Sequence, residues 1–122
     1  MNVRIRARLI RLARLNRGIT SYQNLINQAE LGLNLDNSYE KERLDEILEE
    51  IGTEEFSKGR PLLNALVKVK GNNGQGDRFF KLCERLGYGS WRELKKDIGF
   101  LVNLRQECRD YWMNDQNFET HR

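Results

Sequence analysis

A glycine-rich segment at residues 71–77, GNNGQGD, is the part of this sequence that comes nearest to a phosphate-binding loop. It follows the alternating residues VKVK at 67–70, which predict a strand, and it precedes a helical pattern. In that order, backbone N–H groups at the helix start can bind an anion. The segment lacks both the G-x-G-x-x-G and the G-K-[ST] spacing, however, and Asp77 would place a negative charge at the phosphate position. We therefore predict a turn that binds no phosphate.

Side chains that could support catalysis are few and poorly placed. The single histidine, His121, is the penultimate residue, so we expect neither a Cys–His nor a Ser–His pair. The segment Glu93-Leu94-Lys95 has the E-x-K spacing of some metal-dependent nucleases, but it falls on a predicted helix with a solvated face. The four glutamates of EEIGTEE, residues 49–55, are also interpreted as a solvent-facing helix surface. We predict no enzymatic activity, no metal site and no cofactor.

Length and composition predict one folded unit. With 122 residues, of which 39% are hydrophobic and 32% charged, the chain can bury a core without a metal or a disulfide. The two cysteines, Cys83 and Cys108, are interpreted as buried thiols in a reducing compartment. The sequence has no apolar run long enough to span a bilayer and no apolar centre of a secretory signal. We therefore expect a cytoplasmic protein with a domain over residues 1–113 and a frayed tail over 114–122.

Charge is distributed unevenly along the chain. Residues 1–29 carry a net charge of +6, residues 30–55 carry −8 and residues 56–122 carry +5, which gives the overall +3. Two interpretations remain open. Either the basic first segment lies near the acidic second one within the same molecule, or both face a partner or a second copy, which would make association steered and sensitive to salt.

Helical periodicity predicts three helices in the first half of the chain. The first is amphipathic and basic, although VRIRARL alone would also suit a strand, and Gly18 follows it as a stop. Its apolar face contains Ile5, Leu9, Leu12 and Ala13. The second begins at Thr20, which has Gln23 at the spacing of a capping box. The third covers residues 39–51 and carries carboxylates opposite its apolar stripe, and GTEEFSKGRP then breaks the pattern.

The second half of the chain predicts one strand followed by helices. LLNALVKVK, residues 62–70, is rich in branched residues and reads as the strand. A helix capped by Asp77 ends near Gly87, and a longer stripe that begins at Ser90 reaches Trp112 with Gly99 as a potential break. The predicted fold is mainly α (α+β), a winged-helix-like helical domain with one short strand or a β-hairpin.

Three segments, ITSYQNL, GRPLLNALVKV and GDRFFKLCERLG, follow one another in an order that resembles a set of small bacterial proteins. Those proteins share the pattern ITYxxL, GRPLLSALVV and GFF, which is itself similar in order to the winged-helix part of alkyltransferase-like proteins. The resemblance implies a winged-helix-like fold in a bacterial protein. It transfers no catalytic residue, because the Pro-Cys-His-Arg motif of the alkyltransferases is absent and residues 62–66 read LLNAL.

A winged helix suggests DNA binding, which the charges restrict. In a helix-turn-helix the second helix enters the major groove. Here that helix, YEKERLDEILEEI, exposes carboxylates that DNA would repel. Contact with the phosphate backbone is the mode that remains. The candidate basic residues are Arg4, Arg8, Arg11 and Arg14 on the first helix, with Arg60, Lys68, Lys70 and Arg78 around the strand and turn.

These observations predict a non-catalytic binding module. The first expectation is a protein partner, bound by this chain as a regulator or an immunity-type neutraliser. The alternative is a nucleic-acid-binding protein that contacts the phosphate backbone through the same basic residues. We expect no membrane association, and a homodimer remains an alternative. The apolar residues of the last segment either close the core or anchor such an interface, and they are Tyr111, Trp112, Met113 and Phe118.

Overall fold

The computed structural model describes residues 1–15, 18–69 and 74–122, and these segments are mainly helical. Seven α-helices lie within them: α1 (Val3–Arg14), α2 (Tyr22–Gln28), α3 (Ser38–Ser57), α4 (Asp77–Arg85), α5 (Trp91–Lys96), α6 (Ile98–Met113) and α7 (Asp115–His121). Two short strands, β1 (Thr20–Ser21) and β2 (Val67–Lys68), form a parallel pair. The predicted mainly helical α+β class is confirmed. No helix in the described segments is both long and apolar enough to cross a membrane.

The predicted strand is shorter than its composition suggests. Residues Leu63–Leu66 form a 3-10 helix, and only Val67–Lys68 pair as a strand, with Thr20 opposite Val67 and Ser21 opposite Lys68. The Val69 N–H donates to the Gly74 carbonyl at 2.9 Å. Residues 71–73 of the predicted turn lie outside the described residues. The expectation of a strand across LLNAL is therefore wrong. Every side chain from 62 to 67 is buried, so this segment passes through the core.

The 3-10 helix separates two apolar clusters. Leu63 and Leu66 belong to the larger cluster, which is built mainly by α1, α2, α3 and the second half of α6. Leu62 and Ala65 belong to the smaller one, which α4, α5 and the first half of α6 complete. A 3-10 helix has three residues per turn, so adjacent residues point in widely different directions. The segment can therefore contribute side chains to both clusters.

Helix α3 continues past the point at which the sequence predicted its end. The helix runs without a break through Gly52 to Ser57, and Gly59, with a φ of 72°, follows it. A Cβ atom at position 52 would lie 2.5 Å from the Asn64 Oδ1 atom of the 3-10 helix. Gly52 thus allows the Asn64 side chain to lie against α3 and does not end the helix. The predicted boundary at Ile51 is wrong for this reason.

The C-terminal residues form helix α7, and the predicted frayed tail is wrong. The Asn114 side chain caps the helix by accepting from the Asn117 N–H at 3.0 Å. Arg14 donates to Asp115 at 2.9 Å, Arg6 donates to the His121 carbonyl at 2.7 Å, and Phe118 packs against the larger cluster. The tail lacks a long apolar stripe, but these contacts with α1 hold it in place.

Three helix starts differ from the predicted caps. Thr20 lies in β1, so the cap of α2 is Ser21, whose Oγ accepts from the Asn24 N–H at 3.1 Å. Asp77 is the first residue of α4 instead of its cap, and its carboxylate pairs with Lys95. The helical stripe breaks at Asp97, which caps α6, and not at Gly99.

Candidate functional site

Helix α1 exposes three arginines in one row. Arg4, Arg8 and Arg11 occupy positions i, i+4 and i+7 and lie on one face of the helix, while Ile5 and Leu9 are fully buried on the opposite face. We call these three residues the arginine stripe. It lines a shallow hollow of about 300 Å³ together with Ala7 and the end of α2.

The arginine stripe is almost free of partners. The Arg4 guanidinium lies 3.9 Å from Glu30, and both side chains are exposed. Such a surface pair contributes less than about 1 kcal/mol. Among the described residues, the Arg8 and Arg11 side chains have neither a hydrogen bond nor an ion pair. Two of the three charges therefore remain available to a ligand.

Arg14 is engaged inside the molecule. Its guanidinium donates to the Trp112 carbonyl and to Asp115, both at 2.9 Å, and it stacks 4.2 Å from the centroid of the Phe118 ring. The residue joins α1 to the end of α6 and to α7. The sequence predicted Arg14 as a ligand contact, whereas in the structure its guanidinium contacts residues of α6 and α7.

Glu55 is the centre of a buried ionic cluster, although the sequence assigned it to a solvated surface. Its side chain is 0% exposed. It accepts from Arg6 Nε at 2.5 Å and from Arg60 Nε at 2.6 Å. The hydrogen bond to Glu55 raises the pKa of Arg60 above its ordinary value. Arg60, a predicted ligand contact, is thus an internal counterion.

A signal for Glu55 exists in the sequence. Leu44, Leu48 and Ile51 are buried on the inner face of α3, and residue 55 continues their helical spacing. The predicted helix end at Ile51 removed Glu55 from that pattern. Once the helix extends to Ser57, the acid falls on the core face and requires cationic partners.

Arg78 is held by the acidic face of α3. It donates to both carboxylate oxygens of Glu49, at 2.6 and 3.1 Å, and lies 3.6 Å from Asp45. Asp45 also accepts from the Tyr22 hydroxyl at 2.5 Å. Burial is the main cause that raises the pKa of Tyr22 well above its usual range, and the hydrogen bond to Asp45 is the second cause. Arg78 therefore neutralises the molecule's own carboxylates.

The other predicted basic residues do not extend the stripe. Lys68 is exposed on β2, and its side chain has no ion pair within the described segments. Lys70 lies outside the described residues. The eight predicted residues are therefore not one surface. The stripe contains three of them, and Arg14, Arg60 and Arg78 are bound internally.

The intramolecular interpretation of the charge split is satisfied in part, and the alternative, that the charged segments face a partner, stays a prediction. The N-terminal amino group lies 3.0 Å from Glu50, and Arg6 reaches Glu55, so α1 does pair with α3 near its own start. The arginine stripe lies on a different face of α1 from Arg6. Glu42, Glu46 and Glu50 of α3 are exposed, and each lies within 4.0 Å of a cationic group: Arg78, Arg43 and the N-terminal amino group, respectively.

Clusters of metal-ligating side chains are absent from the described part of the chain. No three His, Cys, Asp or Glu side chains there are grouped closely enough to hold a metal ion. The two charged residues of the Glu93-Leu94-Lys95 segment each have another ion-pair partner. Lys95 pairs with Asp77, and Glu93 lies 3.9 Å from Lys96.

Comparison with known protein families, with curated proteins and with solved structures finds no match. The resemblance to alkyltransferase-like proteins and the winged-helix likeness therefore stay predictions.

Proposed function

We propose that this chain is a non-catalytic binding module that recognises an acidic surface of a protein partner through the exposed face of α1. The observation that supports the proposal is the arginine stripe, whose members lack strong partners among the described residues, while Arg6, Arg14, Arg60 and Arg78 are neutralised internally. Arginine is enriched in protein interfaces and binds carboxylates in a bidentate manner. A regulator or an immunity-type neutraliser would use such a surface to occupy its partner.

Charge distribution favours a protein partner over a nucleic acid. Glu30 borders the stripe and the exposed acids of α3 add a negative field, and both features oppose a polyanion with closely spaced phosphates. A protein surface presents a few localised carboxylates and tolerates acidic neighbours. The loss of Arg60 and Arg78 to internal pairs also removes much of the predicted phosphate contact.

A retention experiment with matched variants tests this proposal. The tagged chain is incubated with a nuclease-treated lysate at 150 mM salt, and retained proteins are identified by mass spectrometry. We compare the triple substitution Arg4→Gln, Arg8→Gln, Arg11→Gln with the control Arg43→Gln, Arg85→Gln, Arg92→Gln. Both remove three exposed positive charges. One identified protein should be retained in stoichiometric amount by the wild type and the control and lost by the stripe variant. Equal retention by both triple variants would contradict the proposal.

Nucleic-acid binding is the second candidate function, because the same unpaired stripe could contact phosphates. Neutralising three phosphates predicts a slope of about −2.7 in the plot of log affinity against log salt. The test is fluorescence anisotropy with a labelled 20-base-pair duplex at 50 and 150 mM salt. Retention of the duplex at 150 mM by the wild type, with loss in the stripe variant, would place this candidate first.

A further inference from the structure

An apolar groove of about 750 Å³ lies between α1 and α7. Ala7 and Arg11 line both this groove and the hollow beside the stripe, so the two depressions share one ridge of α1. Val3 and Leu15 stand at the two ends of α1 with 69% and 59% of their surface exposed, and Ile10 lies between them with Phe118 opposite on α7. These residues define the α1–α7 groove.

The charged side chains that line the α1–α7 groove are basic. Among the described residues, four arginines line it and no acidic side chain does. Three of these arginines have carboxylate neighbours: Arg6 at Glu55, Arg14 at Asp115 and Arg122 at Glu119, the last at 3.9 Å. Arg11 has no ion pair among the described residues. These features suit a ligand that is apolar along its centre and carries a carboxylate where it passes Arg11.

We infer that the α1–α7 groove accepts an acidic amphipathic helix of the protein partner, an inference that rests on the proposed function. A helix of about three turns matches the length of α1, which rises about 18 Å over twelve residues. Its apolar side chains at i, i+3 or i+4, and i+7 would contact Val3, Ile10 and Phe118, and its carboxylates would reach the stripe through Arg11. A ligand that adds as a β-strand would need an open strand edge, and β1 and β2 do not border this groove.

A lipid surface shares part of this chemistry, since basic and apolar side chains also attract anionic membranes. The shape of the α1–α7 groove favours a helical ligand over a lipid surface. Ile10 is only 2% exposed and lies at the floor of a recess between two helices, where a ridge of side chains enters but a flat bilayer surface does not.

A synthetic peptide tests the groove directly. The probe is a fluorescein-labelled 15-residue peptide with leucines on one helical face and glutamates elsewhere, and the control peptide has the same composition with its leucines spread around the helix. Anisotropy at 150 mM salt should show at least tenfold tighter binding of the patterned peptide. The double substitution Val3→Ser, Leu15→Ser should weaken that binding at least tenfold.

The matched control removes exposed apolar residues elsewhere. Ile98→Ser, Val102→Ser changes two exposed side chains of α6 and should bind the patterned peptide as the wild type does. Equal affinity for the two peptides, or no effect of Val3→Ser, Leu15→Ser, would overturn the inference. Flotation with vesicles of phosphatidylserine, lost in the same double variant and without peptide binding, would assign the surface to lipid and also overturn it.

The two proposals fail in different ways. If the retained partner is lost by the stripe variant but kept by Val3→Ser, Leu15→Ser, the groove inference fails alone. If the patterned peptide binds through the groove but the stripe variant retains the partner as well as the wild type does, the proposed function fails. The groove then remains a peptide site.

Discussion

Glu55 shows how one buried acid can organise several elements. Its carboxylate accepts from Arg6 of α1 and from Arg60 after α3, while Arg6 also donates to the last turn of α7 through the His121 carbonyl. A buried pair gains little over apolar packing, but the loss of one partner leaves an uncompensated charge. The cost of losing Glu55 should therefore exceed the value of an ordinary ion pair.

The substitution Glu55→Gln tests this view. It keeps the shape of the side chain and leaves Arg6 and Arg60, whose side chains are 11% and 10% exposed, without their counterion. We expect the free energy of unfolding to fall by about 3 to 5 kcal/mol in urea denaturation. The neighbouring change Glu54→Gln breaks only an exposed pair with Lys58 and should cost under about 0.5 kcal/mol. Similar losses for both variants would show that Glu55 is not a specific centre.

The two cysteines should be chemically inert in the folded protein. Both are fully buried, and burial raises the pKa of the Cys83 and Cys108 thiols to about 12. Iodoacetamide at pH 8 should therefore modify neither residue until urea unfolds the chain, because the thiolate is the reactive form. The control Val102→Cys places a thiol at an exposed position and should react at once. Rapid native-state modification of the wild type would contradict the buried arrangement.

The same pKa shifts predict a direction for stability at alkaline pH. The thiols bind their protons more tightly in the folded state than in the unfolded one, where their ordinary value is 9.0. Their contribution is fully present below pH 9 and is lost as the pH rises toward 12, because the unfolded state releases these protons first.

At the scale of elements, the apolar faces of the helices could be predicted from the sequence, because amphipathic periodicity follows directly from burial on one side. Ile5, Leu9 and Ala13 are all buried as predicted. The 3-10 helix could not be predicted in this way, since a continuous apolar run suits a buried strand equally well. Helix α7 depends on contacts with Arg6 and Arg14, more than a hundred residues away in the sequence, which no local pattern shows.

Gly52 gives an element-scale prediction, since it lies where α3 and the 3-10 helix approach each other. In an exposed helix Gly→Ala would stabilise. Here Gly52→Ala places a Cβ atom 2.5 Å from Asn64 Oδ1, so we expect a loss of about 1 to 3 kcal/mol in chemical denaturation. The exposed neighbour Thr53→Ala should be neutral or slightly stabilising.

A double-mutant cycle separates the close approach from general helix effects. Adding Asn64→Ala to Gly52→Ala removes the atoms that the new Cβ would meet, so the double variant should lose less than the two single losses combined. Strict additivity would mean that the two elements do not compete for this space.

At the scale of the whole molecule, segregation of charge could be predicted but the identity of the free charges could not. Counting residues already separates a basic start from an acidic centre. Whether an arginine is free depends on which carboxylates the fold brings near it, and Arg60 and Arg78 illustrate this because each meets an acid of α3. The groove likewise requires α7, a segment that the sequence predicted to be a frayed tail.

The arrangement of free charge beside an apolar groove predicts that association and dissociation depend on different residues. Exposed charges act at long range and raise the association rate, whereas buried apolar contacts slow dissociation. In stopped-flow experiments with the patterned acidic peptide, raising salt from 50 to 300 mM should lower the association rate several-fold and leave the dissociation rate nearly unchanged. The stripe variant should reproduce the effect of salt, since it removes the same field. Val3→Ser, Leu15→Ser should instead raise the dissociation rate at every salt concentration. A salt effect confined to dissociation would mean that the arginines act as short-range contacts, and the division of roles between stripe and groove would then be wrong.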